Sequence, residues 1–377
     1  MKHKSNLKSI SKMRIVVTGT RGVPRIQGGI ETHCEQLFPR LADLGFEIIL
    51  IRRSCYIEHD NRLTEFKGIK LHDIYAPHQK SLEAIIHTFL SIIWAKVHKA
   101  DIVHIHAIGP GLMIPLARLM GLKVVFTHHG PDYDRMKWGR LAKLILRKGE
   151  KLAIKYASEV IVISSVINDL VIKKHGREDN HLIFNGVSSP TISIKTDYIE
   201  SLGLKPRKYV FALGRFVGEK GFDLLINTFK RLDSRDLNLV IAGDSDHETT
   251  YSRKLKELAR GNGVILTGFI KGEKLHQLFS QARLFILPSY HEGLPISLLE
   301  AMSYKLPVLV SDIPANKQVG LEEHCYFETG NENSLLERLS YSLRSDFNPV
   351  LYDMSPYNWD RIALQTKGVY QKLFDGC

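Results

Sequence analysis

Residues 284–300 read LFILPSYHEGLPISLLE, and this stretch decides the fold. Leu284–Leu287 is a short apolar run closed by Pro288-Ser289, the pattern of a buried parallel strand and the loop at its carboxyl end. Gly293 lets backbone come close to a ligand, and Pro295 suits the first turn of a helix. Glu292 and Glu300 stand eight positions apart across that turn. A carboxylate in the loop, exposed N–H groups at a helix start and a second carboxylate two turns on make a receptor for a sugar joined to a phosphate.

The same strand–loop–helix theme recurs on both sides. Arg14–Thr18, Ile48–Ile51, Ile102–Ile105, Val124–Phe126 and Val160–Ile163 are short β-branched runs, separated by helical periods such as Glu31–Leu44 and Leu141–Tyr156. The alternation restarts with Tyr209–Leu213, Leu239–Ala242, Val264–Leu266, Leu284–Leu287 and Val308–Val310. Alternating β and α units predict parallel sheets covered by helices on both faces. Between the two series, residues 188–208 (SSPTISIKTDYIESLGLKPRK) lose the pattern and read as an inter-domain linker. The prediction is an α/β chain of two Rossmann-like domains, 13–190 and 205–357, facing across a deep cleft. A final helical segment, 358–377, crosses back to the first domain.

At 377 residues the chain exceeds the usual size of a single core. A net charge of +12 favours anionic partners. Sparse aromatics among the basic clusters, and the absence of zinc-finger spacing, argue against nucleic acid. Cys34, Cys55, Cys325 and Cys377 have no paired spacing and are expected as free thiols in a reducing cytoplasm. The polar, basic start lacks the apolar stretch of a secretion signal. The longest charge-free apolar run, Ala84–Ala95, falls short of a spanning helix.

Three further segments carry chemistry. In residues 19–33 (GTRGVPRIQGGIETH), Gly28-Gly29 precedes a helix and offers an anion nest without the dinucleotide fingerprint. In residues 213–225 (LGRFVGEKGFDLL), Arg215 ends a strand and Lys220 precedes a helix; two such cations call for an anion between them, and a diphosphate fits. His129, in FTHHG (126–130), is read as ending a strand of the first half, a cleft-facing position where it can bond a sugar hydroxyl. His104 and His106 alternate on one strand face without a third ligand at suitable spacing, so no metal site is expected. Asp244 and Asp246 form an Asp-x-Asp pattern better read as helix capping. Residues 135–157, with Lys137, Arg140, Lys143, Arg147, Lys148, Lys151 and Lys155 around Leu141, Leu144, Ile145, Leu152 and Ile154, read either as a membrane-surface helix or as one packed on its own sheet.

Taken together, the segments resemble the retaining glycosyltransferases of family four, which have the GT-B fold. The resemblance runs from about Met13 to Phe374 and is strongest in residues 214–226 and 284–312. Residues 19–37 (GTRGVPRIQGGIETHCEQL) resemble a bacterial branch that builds surface polysaccharides. The resemblance implies that Gly28 and Gly29 face a donor diphosphate neutralised by Arg215 and Lys220. Glu292 then sits beside the transferred sugar, with the backbone of Gly293, Leu294 and Pro295 on sugar and phosphate. Glu300 takes the ribose hydroxyls, and Gly268, Phe269 and Ile270 line the base pocket. His129 matches the family's histidine near the donor sugar, although Gly130 follows where aspartate is frequent. The implied activity is transfer of a hexose, with retention, from a nucleoside-diphosphate sugar (a UDP-sugar foremost) to a glycan or lipid-linked acceptor. It needs no cofactor or metal, and the expected place is the inner face of the plasma membrane, on its anionic surface. The alternatives are a nucleotide-sugar epimerase and a non-catalytic nucleotide-sugar-binding scaffold.

Overall fold

The computed structural model describes residues 13–57, 61–77, 82–134, 139–232, 236–245, 248–261, 263–344 and 346–375. The chain divides into two compact units, Met1–Asn185 with Trp359–Cys377, and Gly186–Asn358.

In the first unit the strands are β1 (Arg14–Thr18), β2 (Glu47–Arg53), β3 (Glu65–Phe66), β4 (Ile69–Ile74), β5 (Ile102–His106), β6 (Lys123–His128), β7 (Glu159–Val162) and β8 (His181–Leu182). They form one sheet in the order β3-β4-β2-β1-β5-β6-β7-β8, parallel throughout except for the β3–β4 pair. The central strands are buried on both faces because helices cover both, which is why β1 reads as a hydrophobic run and β5 is buried throughout, His104 and His106 included. The helix Gly29–Asp43 buries Cys34, Leu37, Phe38 and Leu41, spaced three and four apart, against that sheet. The closing helix Trp359–Asp375 adds Trp359, Ile362, Ala363, Val369 and Tyr370 to the same core, so the chain's last segment belongs to its first unit.

In the second unit the strands are β9 (Tyr209–Leu213), β10 (Asn238–Ala242), β11 (Val264–Gly268), β12 (Leu284–Leu287), β13 (Val308–Ser311) and β14 (Tyr326–Phe327). Their order is β11-β10-β9-β12-β13-β14, all parallel. Val210, Ala212, Phe222, Leu225, Phe229, Ile286 and Leu335 lie in its buried core. The ten sequence-predicted strands are all present, within two residues at either end. The four that periodicity missed are β3, β4, β8 and β14, three of them two residues long and the fourth only half buried.

The stretch read as a linker is folded onto the second unit. It contains a short helix, Asp197–Ser201, and Ile199 and Leu204 are buried. Ser193 N donates to Ser280 Oγ at 2.9 Å, and Ser193 Oγ donates to Glu273 at 2.5 Å. Its disordered look comes from bonding through side chains to a neighbouring helix rather than through a ladder of its own.

Sheet order reverses between β1 and β5 in the first unit and between β9 and β12 in the second. Loops diverge at such switch points, so the carboxyl ends of those strands are where an open α/β sheet receives ligands. In the second unit the two diverging loops are tied together. Tyr290 N donates to the Glu219 carbonyl at 2.8 Å. Gly221, at φ +64°, lies so near the β12 loop that a Cβ there would stand 2.3 Å from the Pro288 carbonyl oxygen. Only glycine allows both the left-handed turn and that approach. Gly221→Ala is therefore expected to cost about 1–3 kcal/mol of stability, read as a lower denaturation midpoint of the second unit. An unchanged midpoint would mean that the two loops do not meet at Gly221.

Candidate functional site

The tie at Gly221 brings Lys220, after β9, onto Glu292, after β12. Lys220 Nζ donates to Glu292 Oε1 at 2.5 Å, with the two side chains 17 % and 13 % exposed. Ser289 Oγ donates to the same oxygen at 2.6 Å. The loop beneath is fixed in turn, since Ser311 Oγ donates to the Ser289 carbonyl and Asn316 Nδ2 donates to the Ser311 carbonyl at 2.8 Å. Gln318 Nε2 holds the Gly293 carbonyl at 3.2 Å. Burial raises the cost of charging Glu292, but the Lys220 ammonium, with hydrogen bonds from Lys220 and Ser289, outweighs it and holds the carboxyl below its ordinary range. This corrects one step of the sequence argument. Lys220 does not need an outside anion to offset its charge, because Glu292 already supplies one.

Glu300 sits in the helix Ile296–Ser303, with Pro295 just before it and Leu294 buried. Its carboxyl has the opposite environment. Burial pushes it up to about 7, and the nearby Lys271 only partly counters that. Two carboxylates eight residues apart thus differ in charge near neutral pH, one ionised by a cation and the other half protonated by its surroundings. Beside them, Gly268 has φ +71° with open space where a side chain would project, Phe269 is 43 % exposed and Ile270 is partly buried. Gly243 N donates to the Gly268 carbonyl at 2.8 Å, which fixes the end of β11 against the end of β10. Arg215, two residues beyond β9, is partly buried in the same group of loops.

Asp244 behaves as a local turn residue: its Oδ1 accepts from Ser245 N at 2.8 Å and it pairs with Lys256 at 3.0 Å. Asp246 lies outside the described residues, as does Lys137 of the basic stretch.

In the first unit, Gly28 has φ +150°, and the reason lies in a buried ion pair. A Cβ there would stand 2.1 Å from Glu31 Oε2 and 2.5 Å from Arg21 Nη2. Arg21 Nη2 donates to Glu31 Oε2 at 3.1 Å, and Arg21 N and Thr20 Oγ1 donate to Oε1. Burial opposes this charge, yet Arg21 prevails and holds Glu31 at about 2. Gly29 faces open space.

His129, directly after β6, is brought against two other histidines. Its Nε2 lies 2.9 Å from His106 Nδ1, and its ring centre is 5.0 Å from that of His33. His104 does not join them through a bond; its ring nitrogens meet Tyr370 Oη and Thr127 Oγ1, both at 2.6 Å. His104 and His106 are both buried, as the sequence reading expected, and it is His129 rather than His104 that lies at bonding distance from His106. The third ring, His33, is four residues into the helix Gly29–Asp43. Its signal was that it lies one turn past the loop of β1, hence at the same sheet end as His106 and His129. Burial first, and then neighbouring imidazoles, hold His106 and His129 well below the usual histidine range. Burial also lowers His33 to about 4, against a hydrogen bond to Asn185 that works the other way. The three rings are neutral at physiological pH.

Comparison with known proteins gives this arrangement its context. A model described as "Glycosyl transferases group 1" matches residues 194–352, and one described as "Glycosyltransferase Family 4" matches residues 27–189. An uncharacterized glycosyltransferase of Methanocaldococcus jannaschii is 24 % identical over 95 % of this chain and 98 % of its own length. Among solved structures, sucrose-phosphate synthase from Thermosynechococcus elongatus superposes with a TM-score of 0.82 at 19 % identity, covering 97 % of this chain and all of its own. The Anabaena protein HepE, solved with UDP-glucose, superposes with a TM-score of 0.72 at 18 % identity, covering 96 % and 95 % of the two chains. With a family-four glycosyltransferase domain in its first half and a group-1 glycosyltransferase domain in its second, the chain has the domain make-up of a glycosyltransferase of GT-B fold.

Proposed function

We propose that the protein transfers a hexose, with retention of configuration and without a metal, from a UDP-sugar to a glycan or lipid-linked acceptor in cell-surface polysaccharide synthesis. The observation that carries this reading is the Lys220–Glu292 pair at the switch point of the second sheet. Breaking the bond to a nucleoside diphosphate builds negative charge on the leaving phosphate and positive charge on the sugar. A pre-placed ammonium answers the first, and a carboxylate held ionised answers the second. Glu292 holds Lys220 in position until the diphosphate arrives as a competing partner. Arg215 adds the second cation, and the backbone of Gly293, Leu294 and Pro295 at the start of the helix Ile296–Ser303 offers N–H groups to sugar and phosphate.

In this reading Glu300 accepts hydrogen bonds from the ribose hydroxyls, and Gly268, Phe269 and Ile270 hold the base. Gly28, Gly29 and His129 keep their donor-facing roles on the match of their motifs. The uridine choice takes support from HepE, whose structure contains UDP-glucose.

The membrane part of the reading rests on the helix Arg140–Tyr156. Leu141 is 72 % and Leu144 64 % exposed among Arg140, Lys143, Arg147, Lys148 and Lys151, a face that its own sheet does not cover. Apolar side chains amid cations suit the anionic inner surface of a membrane, with roughly 1 kcal/mol from each cation near that surface. No helix among the described residues is long and apolar enough to cross a bilayer.

Four measurements test these assignments. Glu292→Ala and Arg215→Ala should each lower transfer by orders of magnitude while the chain still folds, Glu292→Ala with a lower melting temperature because it leaves Lys220 without its buried partner; near-normal turnover in either variant contradicts the reading. Requirement for an acceptor separates it from an epimerase, which alters the free nucleotide sugar alone. Affinity for UDP should rise with pH as Glu300 ionises. A carboxyl near 7 is protonated below that value, which removes its charge and turns one of its two acceptor oxygens into a donor, so binding at pH of about 6 should be roughly ten-fold weaker than at pH of about 8. In Glu300→Gln that step should vanish, leaving only the phosphate's own titration, and a step of equal size would remove Glu300 from the ribose site. Sedimentation with vesicles containing anionic lipid should show binding that Leu141→Glu with Leu144→Glu abolishes and salt weakens; equal binding to neutral vesicles would contradict an anionic surface as the partner.

A further inference from the structure

His33, His106 and His129 each offer a ring nitrogen, and the three offered atoms all lie within 4.8 Å of one another. They come from three separate elements at the carboxyl end of the first sheet: the helix Gly29–Asp43, the last residue of β5 and the residue after β6. We propose that these three histidines form a binding site for a divalent transition metal of the zinc class, which when loaded blocks transfer rather than supporting it.

The ring positions fit such an ion. Three imidazoles on one tetrahedral zinc, with metal–nitrogen distances of about 2.0–2.1 Å, have ring centres about 5 Å apart. Here the centres are 5.0, 5.2 and 5.6 Å apart. Nitrogens around such an ion are spaced about 3.3 Å, so the widest pair must close by at most about 1.5 Å.

Two nitrogens in the cluster have no partner among the described residues. His33 Nε2 and His106 Nε2 are buried without a hydrogen bond, on side chains 3 % and 0 % exposed. A buried ring nitrogen left unpaired costs free energy unless something meets it, which a metal ion does. Orientation is also prepared. His33 Nδ1 lies 3.0 Å from Asn185 Oδ1, which can only accept there, so the proton sits on Nδ1 and the lone pair on Nε2. This is the outer-shell arrangement that fixes tautomer and direction in histidine metal sites.

The chemistry of the donors sets the class of ion. Three neutral imidazoles with no carboxylate among them suit zinc, cobalt, nickel or copper and not magnesium or calcium, which require oxygen. His129 is partly exposed whereas His33 and His106 are buried, so the fourth position opens on the His129 side. A metal there takes a ring lone pair of His129, the residue assigned to the donor sugar, and replaces its 2.9 Å contact with His106, which is why loading should inhibit. That consequence rests on the proposed function; the binding itself does not.

The test uses the full chain after chelator treatment, with Co2+ as a spectroscopic probe and Zn2+ in competition with a chromogenic chelator. The expected result is one equivalent of Co2+ with the intense visible absorption of tetrahedral nitrogen coordination, displaced by Zn2+ and lost in His33→Ala. Asn185→Ala leaves all three ligands in place and should weaken Zn2+ binding about 10–100-fold. It serves as the second variant should His33→Ala fail to fold, and His98→Ala, at the exposed end of another helix, should change nothing. Zn2+ should inhibit transfer at the concentration that fills the site, and a chelator should restore it without abolishing activity. The proposal is overturned if wild-type protein shows no tetrahedral Co2+ spectrum, or if a folded His33→Ala or Asn185→Ala variant binds as wild type does. Binding without inhibition would leave the metal site standing and remove His129 from the transfer reaction.

Discussion

The second unit depends on the close approach of two loops at its sheet's switch point. Gly221 must pass within side-chain distance of the Pro288 carbonyl, and the Tyr290 amide must reach Glu219, for Lys220 to face Glu292 at 2.5 Å. Each contact is ordinary alone. Together they place an ammonium and a carboxylate, from positions 72 residues apart, in a shielded corner where their attraction exceeds what water would allow. Removing either partner from such a pair leaves a poorly solvated charge, which in comparable sites costs about 3–5 kcal/mol. The pair is thus both a structural element and the feature on which the proposed diphosphate site rests.

The first unit solves its switch point differently. Its polar end carries neutral imidazoles rather than a charged pair, packed edge to face with one another and with Phe38 and Trp359. Charges nearby are closed off in pairs, Glu31 by Arg21 in the turn at Gly28 and Glu83 by Arg53, which also donates to the Gly19 carbonyl. Burial explains the contrast. An ion pair survives burial only when both members are present with good geometry, whereas a histidine escapes the penalty by giving up its proton. One sheet end is therefore an electrostatic receptor, and the other offers lone pairs and weak hydrogen bonds suited to hydroxyl groups or a soft cation.

The strands were legible because a strand covered on both faces must be apolar along its length, and such runs stand out at Arg14–Thr18, Tyr209–Leu213 and Leu284–Leu287, which match the observed bounds. The short pairs at Glu65–Phe66, His181–Leu182 and Tyr326–Phe327 left no period to find. Lys220, Glu292 and Glu300 were legible as site candidates because loops after apolar runs lie at strand ends, and a charged residue there has few structural reasons to exist. That Lys220 and Glu292 neutralise each other was not legible, since nothing in a linear chain states which strand lies beside which.

Local pattern alone determined two series of parallel-sheet units, the closing helix and the loops that carry charge, because burial and helical period act over a few residues. Tertiary structure decided the rest: that residues 188–208 pack on the second unit, that the carboxyls of Glu292 and Glu300 have opposite proton affinities, and that His33 joins His106 and His129 while His104 turns to Tyr370 and Thr127. Each depends on what surrounds a side chain after strands distant in sequence become neighbours. Proton affinity and ligand geometry are properties of that surrounding dielectric and its charges, not of residue order.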